Sequence, residues 1–416
     1  VDPKFVPGRV ALGALYNIEK KAEEALREYE SALQADPKYG PAIAAKVTTL
    51  VEQKRVDEAI RFVESSLKSD PKNARLLTTL GGLYLVKNDR VKAEEEFRRA
   101  LKVDEEFAPA RFNLARLAAA SQKDGEAVAQ LQRVLRDRPG HVAAALGLAG
   151  LHSRQARYDQ AIAVLEASAK ASPQATDLTL ALADLYLRKG REDDAIGRLS
   201  PLVAVNPNLV PARGLLGLAH LGKYRPAEAI KEFERINQIS PEIASNHYYL
   251  GRAHLARGDV EAAKRAYRKA LELNPANKHL QIELAAIAGE KPDEKLLAGQ
   301  LQELKAAVEK DPSNVSLRNA LAQSYLGRRQ LKEAEAEYRK VLETAPAFVD
   351  ANMGMAFIRA EEKKLEEAAE HLKAVVRAEP DHLRANLMLG EYYEQRRNLE
   401  LAVQHLEAAY RANPGL

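Results

Sequence analysis

The chain of 416 residues has no cysteine, no tryptophan and only 3 methionines. Without cysteine there are no disulfides, no thiolate zinc or iron–sulfur ligands and no cysteine nucleophile. Aromatic residues are sparse at 6%. No apolar run approaches the ~18–20 residues that cross a bilayer as a helix, so no membrane insertion is expected. An excess of one charge is also lacking: 63 Lys and Arg stand against 59 Asp and Glu. A balance this close to neutral demands no nucleic-acid or membrane partner. The sequence opens Val1-Asp2-Pro3-Lys4, with neither an initiator methionine nor a signal peptide in view. It stays compatible with an export signal upstream, so cytoplasm and bacterial periplasm both remain open.

What is present is 46% hydrophobic residues, enough for a packed core, arranged in an internal repeat. Prolines recur at Pro37, Pro71, Pro139, Pro173, Pro207, Pro241, Pro275, Pro312, Pro346, Pro380 and Pro414, with Glu105 filling one slot. All gaps are 34 residues except Pro275 to Pro312, which is 37. Twelve units result, eleven of them regular. Each regular unit carries Ala twelve residues before its slot, from Ala25 through Ala161 to Ala402. Four residues later stands a large apolar residue such as Tyr29, Phe97, Leu165 or Leu406. An earlier column holds Gly or Ala (Gly13, Gly81, Ala115, Gly251, Gly390), with Val47 the exception. Apolar spacing of three and four predicts two amphipathic helices per unit, near 7–19 and 22–35 in the first. The small columns predict close helix crossing, and the proline marks the stop after each second helix.

These columns resemble the tetratricopeptide repeat family: Leu12-Gly13-x-x-Tyr16, Ala25-x-x-x-Tyr29 and Pro37 in the first unit, and Leu80-Gly81-x-x-Tyr84 with Ala93-x-x-x-Phe97 in the third. The family's early tryptophan is absent. The resemblance implies an all-α, right-handed α-solenoid superhelix of about twelve 34-residue helix-turn-helix units. First helices would line a groove, usually to bind protein without catalysis. The expected organisation is eight units over 1–277, an irregular unit over 278–314 with a three-residue insertion in the turn Gly289-Glu290-Lys291-Pro292, and three units over 315–416. That insertion reads either as a longer loop in an unbroken stack or as a bend. Pro201, inside a second helix with Gly197 one turn earlier, is expected to kink or shorten that helix.

Family geometry places residues two and three before the Gly column, and the one after it, toward the groove. That column pattern yields a binding-groove set of Tyr248, Tyr249 and Arg252, with Phe112, Asn113 and Arg116, and an apolar lining of Leu146, Leu180 and Leu215. Tyr and Arg combine contact area with a polar handle, which favours them at binding sites; the plainer reading packs one tyrosine of the pair between helices. A Lys/Asn/Arg carboxylate clamp and an asparagine ladder are both missing, since Asn113 stands alone. Residues 108–277 carry 24 basic and 17 acidic side chains, which would suit an acidic protein segment. The alternative is a solvated face of i,i+4 pairs. No nucleic-acid reader motif accompanies the charge.

Catalytic signals are thin. His152, His220 and His254 share the Tyr16 column, where packing with one satisfied nitrogen is the simplest role. His247 and His254 lack a third ligand at metal spacing. Ser65-Ser66-Leu67-Lys68 fits S-x-x-K without its partner motifs. Asn314-Val315-Ser316 is a lone sequon. No phosphate loop occurs, and no cofactor is expected. The sequence therefore reads as a non-catalytic protein-binding scaffold. The alternatives are the repeat arm of a larger enzyme, such as a glycosyltransferase, or a bacterial exopolysaccharide or envelope assembly component. End-to-end self-association is a further expectation, because the last helix carries Leu399, Val403, Leu406 and Tyr410 along one side with no helix after it.

Overall fold

The computed structural model describes residues 5–155, 157–290, 293–312 and 314–412. Among them are 24 α-helices and no strand. In chain order they are α1 (Val6–Ile18), α2 (Ala22–Ala35), α3 (Gly40–Glu52), α4 (Val56–Ser69), α5 (Ala74–Val86), α6 (Arg90–Val103), α7 (Ala108–Ala120), α8 (Asp124–Asp137), α9 (Val142–Arg154), α10 (Tyr158–Ala171), α11 (Thr176–Arg188) and α12 (Glu192–Val205). They continue as α13 (Val210–Gly222), α14 (Pro226–Ile239), α15 (Ala244–Ala256), α16 (Val260–Leu273), α17 (Lys278–Ala288), α18 (Glu294–Lys310), α19 (Val315–Gly327), α20 (Leu331–Thr344), α21 (Val349–Glu361), α22 (Leu365–Ala378), α23 (Leu383–Gln395) and α24 (Leu399–Ala412). Two compact units result, Val1–Leu185 and Tyr186–Leu416. In each, consecutive helices pack in chain order, and first helices of neighbouring repeats also touch, as α5 does α7 and α19 does α21. This is a solenoid of helix-turn-helix repeats.

The packing rule is a volume exchange inside each repeat. The Ala column is fully buried at nine of its eleven positions, Ala25 and Ala161 among them, and nearly so at Ala368 and Ala402. The Gly column is small for a more specific reason than helix crossing alone: each glycine receives the ring of the large residue sixteen positions on. A Cβ on Gly13 would lie 2.4 Å from Tyr29, on Gly81 2.6 Å from Phe97, on Gly217 2.6 Å from Phe233 and on Gly251 2.3 Å from Tyr267. Where the column holds Ala115, Ala149, Ala183 or Ala356, the facing residue is Leu131, Leu165, Leu199 or Leu372, and Val47 faces Val63. Glycine pairs with an aromatic ring and alanine with leucine, so the summed volume stays near constant, as close packing requires. Two repeats depart: Ala322 keeps Tyr338, whose ring crowds Gly354 instead, and Gly390 faces Leu406.

Buried polar struts share the period. In several repeats the residue six after the proline slot donates to that slot's carbonyl: Arg318 to Pro312 at 2.8 Å, Asn352 to Pro346 and Asn386 to Pro380 at 2.9 Å, Gln281 to Pro275 at 2.7 Å. The same side chain then reaches a partner nineteen residues on, in the second helix: Arg318 to Glu337 at 2.7 Å, Asn352 to His371 at 3.0 Å, Asn386 to His405 at 2.8 Å, and Arg213 to Glu232. Charged residues therefore do more than form i,i+4 pairs on a solvated face. Lys87–Asp57, Lys223–Asp193 and Arg396–Glu366 join successive repeats at a spacing of thirty, although these are solvent-exposed and individually weak.

Wherever the residue at its end is described, a first helix ends in the left-handed conformation. Lys20 donates its N–H to the Asn17 carbonyl and Lys21 to the Tyr16 carbonyl, the paired bonds of a Schellman motif. Lys20, Lys54, Asn88, Gln122, Tyr224, Arg329, Lys363 and Arg397 all hold positive φ there, alongside Gly190 and Gly258.

The irregular repeat differs from the expectation. The helix α17 shortens to 11 residues and α18 lengthens to 17, against 13 and 14 elsewhere. Its extra length sits at the N-terminus of α18, where Asp293 caps the helix by accepting from the Lys295 N–H at 2.7 Å. Of the expected insertion turn, Gly289 is left-handed and ends α17; Lys291 and Pro292 lie outside the described residues. Pro201 does not shorten α12, which keeps 14 residues. A Cβ at Gly197, one turn earlier, would meet nothing within 4 Å, so that glycine is not what accommodates the ring.

The volume exchange predicts a compensating pair. Gly81→Ala should cost ~1–3 kcal/mol through overpacking against Phe97. Adding Phe97→Leu should recover most of the loss, because it recreates the Ala115–Leu131 arrangement. Chemical denaturation of the two single variants and the double variant measures this; additive losses would show that the columns are not coupled.

Candidate functional site

The residues singled out for the groove fall on first helices: Phe112, Asn113 and Arg116 on α7, Leu146 on α9, Leu180 on α11, Leu215 on α13, and Tyr248, Tyr249 and Arg252 on α15. All are half-buried except Arg116 and Arg252, which are exposed. The Phe112 ring stands 5.2 Å from that of His141, which caps α9. This group and the α15 group belong to different compact units and are described separately.

On α15 the two tyrosine rings lie 5.2 Å apart, and each also leans on a buried ring: Tyr248 stacks on Tyr267 at 5.8 Å and Tyr249 on Phe233 at 6.0 Å. Both tyrosines pack between helices and both leave area in solvent. Burial raises the Tyr248 titration above its ordinary value, the nearby Glu283 carboxylate adds to this, and a hydrogen bond with Arg252 opposes it. Glu283 on α17 approaches His279 at 3.1 Å and lifts its titration above the usual histidine value. Gln300 on α18 reaches the other nitrogen of His279 at 3.3 Å. The sequence reading left out Glu283 and His279 because the column count skipped the irregular repeat; counted forward from Pro275, Glu283 falls in the same inward column as Tyr249.

The residues weighed for catalysis are structural. His247 is buried, with Nε2 2.8 Å from the Pro241 carbonyl. Nδ1 of His152, His220 and His254 is buried without a hydrogen bond, with the Asp259 carboxylate 3.6 Å from Nδ1 of His254. Desolvation holds His152 and His220 below the usual histidine range, so they pack as neutral rings. Ser66 bonds back to the Phe62 carbonyl at 3.0 Å within its own helix. Asn314 caps α19 by accepting from the Leu317 N–H at 3.1 Å. Among the described residues no three His, Asp or Glu side chains gather as metal ligands, and no helix is long and apolar enough to cross a membrane.

A cavity of about 550 Å³ opens between α20, α21 and α22, apart from the groove residues. Leu342, Met355, Glu343, Glu370 and His371 line it together with Arg359. Arg359 is only 5% exposed. Its guanidinium is spent on Glu335 at 2.5 Å, Glu362 at 2.7 Å and Glu367 at 2.8 Å. Hydrogen bonds to Arg359 and its charge hold the Glu335 carboxyl below the ordinary range; for Glu362, Lys364 contributes more than Arg359.

Comparison with known proteins agrees with this architecture. Tetratricopeptide repeat models match residues 17–83, 125–174, 153–218 and 352–416, and a model described as the cytochrome c-type biogenesis protein H TPR domain matches 238–349. The chain belongs to the tetratricopeptide repeat family. Among solved structures, it is similar to YrrB, a TPR protein described with an unusual peptide-binding site: 22% identity over 47% of this chain and 98% of that one, TM-score 0.41. It is also similar to a chain of the APC/C Cut9–Hcn1 hetero-tetramer, at 12% identity over 97% and 93%, TM-score 0.44. A tetratricopeptide repeat protein from Parabacteroides merdae aligns at 18% identity over 68% and 99%, TM-score 0.35. No curated protein matches the chain significantly.

The Arg359 cluster carries a pH prediction. A carboxyl held low in the folded state contributes stability above the ordinary glutamate range and loses it as pH falls through the depressed value. Arg359→Met should therefore cost on the order of 1–3 kcal/mol at pH 7, below the full buried-pair loss because Glu362 and Glu367 remain partly solvated. The gap to the parent should shrink toward pH 3. Denaturation curves at both pH values check it; an unchanged gap would mean that the arginine acts by packing alone.

Proposed function

We propose that this chain is a non-catalytic scaffold that holds a protein segment against its first helices, with Tyr248, Tyr249 and Arg252 as the principal contact. The observation that carries the reading is a half-buried tyrosine pair, already oriented by stacking on Tyr267 and Phe233, next to an exposed arginine. Rings fixed before binding lose little entropy on contact, and an arginine beside them adds a charged handle. Direct contact between first helices of neighbouring repeats supports an inner face made of first helices. Phe112, Asn113 and Arg116 form a second such group, while Leu146, Leu180 and Leu215 offer half-buried apolar surface. The excess of basic side chains over 108–277 favours an acidic segment.

A pull-down with the 416-residue chain, analysed by mass spectrometry, supplies the partner. The model named for cytochrome c-type biogenesis protein H spans α15, so proteins of cytochrome c biogenesis belong among the baits. Against the captured partner, Arg252→Ala should weaken binding by at least ~1 kcal/mol with no change in melting temperature, because Arg252 is exposed. Tyr249→Ala should weaken it as much and also cost some stability through the lost Phe233 contact. If both variants bind as the parent does, the contact lies elsewhere.

End-to-end self-association belongs to the same reading. Val403 is 53% exposed and Leu406 39%, whereas the equivalent Ile230, Ala369, Phe233 and Leu372 are buried beneath the next repeat. On α1, Leu15 is likewise exposed where its equivalents Leu83 and Leu117 are buried. The two faces are halves of one inter-repeat contact, which further repeats of a longer chain, or a second copy of the 416-residue chain taken alone, would complete. A sedimentation coefficient rising with concentration is expected. A polar capping helix after Leu416 should abolish the rise and raise the melting temperature. A concentration-independent monomer would overturn this part alone.

A further inference from the structure

The turn between α13 and α14 makes a contact that no other repeat makes among the described residues. Tyr224 in that turn sets its ring edge-on to the ring of His382, at 6.4 Å between centroids and 76° between planes. His382 is buried and caps α23, its Nδ1 accepting from the Ala385 N–H at 3.1 Å. The two residues lie 158 positions apart in one compact unit, so the contact spans the repeats from α14 to α23.

The residue at the turn is itself unusual. Tyr224 occupies the left-handed slot found at the described ends of first helices, with φ +52°. The other described occupants are Gly, Asn, Gln or a long cation. Gly and Asn take that conformation at little cost, whereas a bulky aromatic residue does not. Tyr224 is the one aromatic among the described occupants, and its ring is the one that reaches a distant repeat. Burial raises the Tyr224 titration, and the carboxylates of Glu379, Asp350 and Glu192 add to this from three different elements. Glu379 is raised in turn by burial, Glu192 and Asp350, as expected for like charges crowded together.

We propose that Tyr224 is a clasp: its ring on His382 ties the α13–α14 turn to the loop before α23 and limits how far the intervening stack can straighten. The helices it spans include α15, so the clasp also governs the curvature on which the Tyr248–Tyr249 pair is displayed.

The absence of cysteine makes the test direct, because Ala227→Cys on α14 and Arg384→Cys on α23, both exposed, are unique labelling sites. Pulsed electron spin resonance between nitroxides at the two sites should give one narrow distance. Tyr224→Asn, which suits the left-handed slot, should broaden the distribution and shift it longer by several ångströms, with helical content and melting temperature kept or slightly raised. Tyr224→Phe should preserve the parent distance, since the contact uses the ring. His382 itself is left intact because its removal would also uncap α23. A broad distribution in the parent, or an unchanged one in Tyr224→Asn, overturns the clasp. Neither outcome bears on the α15 contact, which partner binding tests separately.

Discussion

The structure depends on one steric exchange repeated along the chain: a missing Cβ on the first helix of a repeat makes room for a ring on the second. A side chain at Gly81 or Gly251 would collide with Phe97 or Tyr267 well inside contact distance. That interlock fixes the separation and rotation of the two helices of a repeat, and therefore the face each pair offers to the next pair. Because alanine with leucine fills the same space as glycine with phenylalanine or tyrosine, repeats of different composition present matching surfaces. Stacking can then continue through many units with little change.

Polar groups reinforce this frame rather than decorate it. The struts from Arg213, Arg318, Asn352 and Asn386 do two tasks at once, satisfying the carbonyl of the preceding turn and bridging to the second helix of their own repeat. An unmet carbonyl at each helix end would be costly once covered by the neighbouring repeat. Arg359 shows the same economy on a larger scale, with three carboxylates around one nearly inaccessible guanidinium. Such residues are fixed by the stack and have little freedom to serve a partner. On the proposed function, recognition falls to the part of the first helices where rings are only half covered, as they are for the tyrosine pair of α15.

How much of this was legible in the sequence varied with the range of the interaction. The 34-residue period, the helix limits of the first repeat, the small columns and the family all follow from local patterning, because apolar spacing and proline stops act within a few residues. That the columns assigned to the groove lie on first helices was legible in the regular repeats. Glu283 and His279 were not, because the lengthened repeat shifted the count. The expectation that Pro201 would shorten its helix did not hold, since α12 keeps its full length.

By itself the sequence determined the unit and the order of the stack, since every repeat buries its apolar stripe against the next one in line and nothing else has the matching period. Only the tertiary structure decided which charges are structural, because a spacing of nineteen or thirty residues becomes a contact only after two helices have packed. It alone decided that the insertion lengthens α18, where a capping aspartate was available. It also decided that Tyr224 meets His382, a juxtaposition set by the accumulated curvature of several repeats, and small angular increments between packed helices are written in no single stretch of residues.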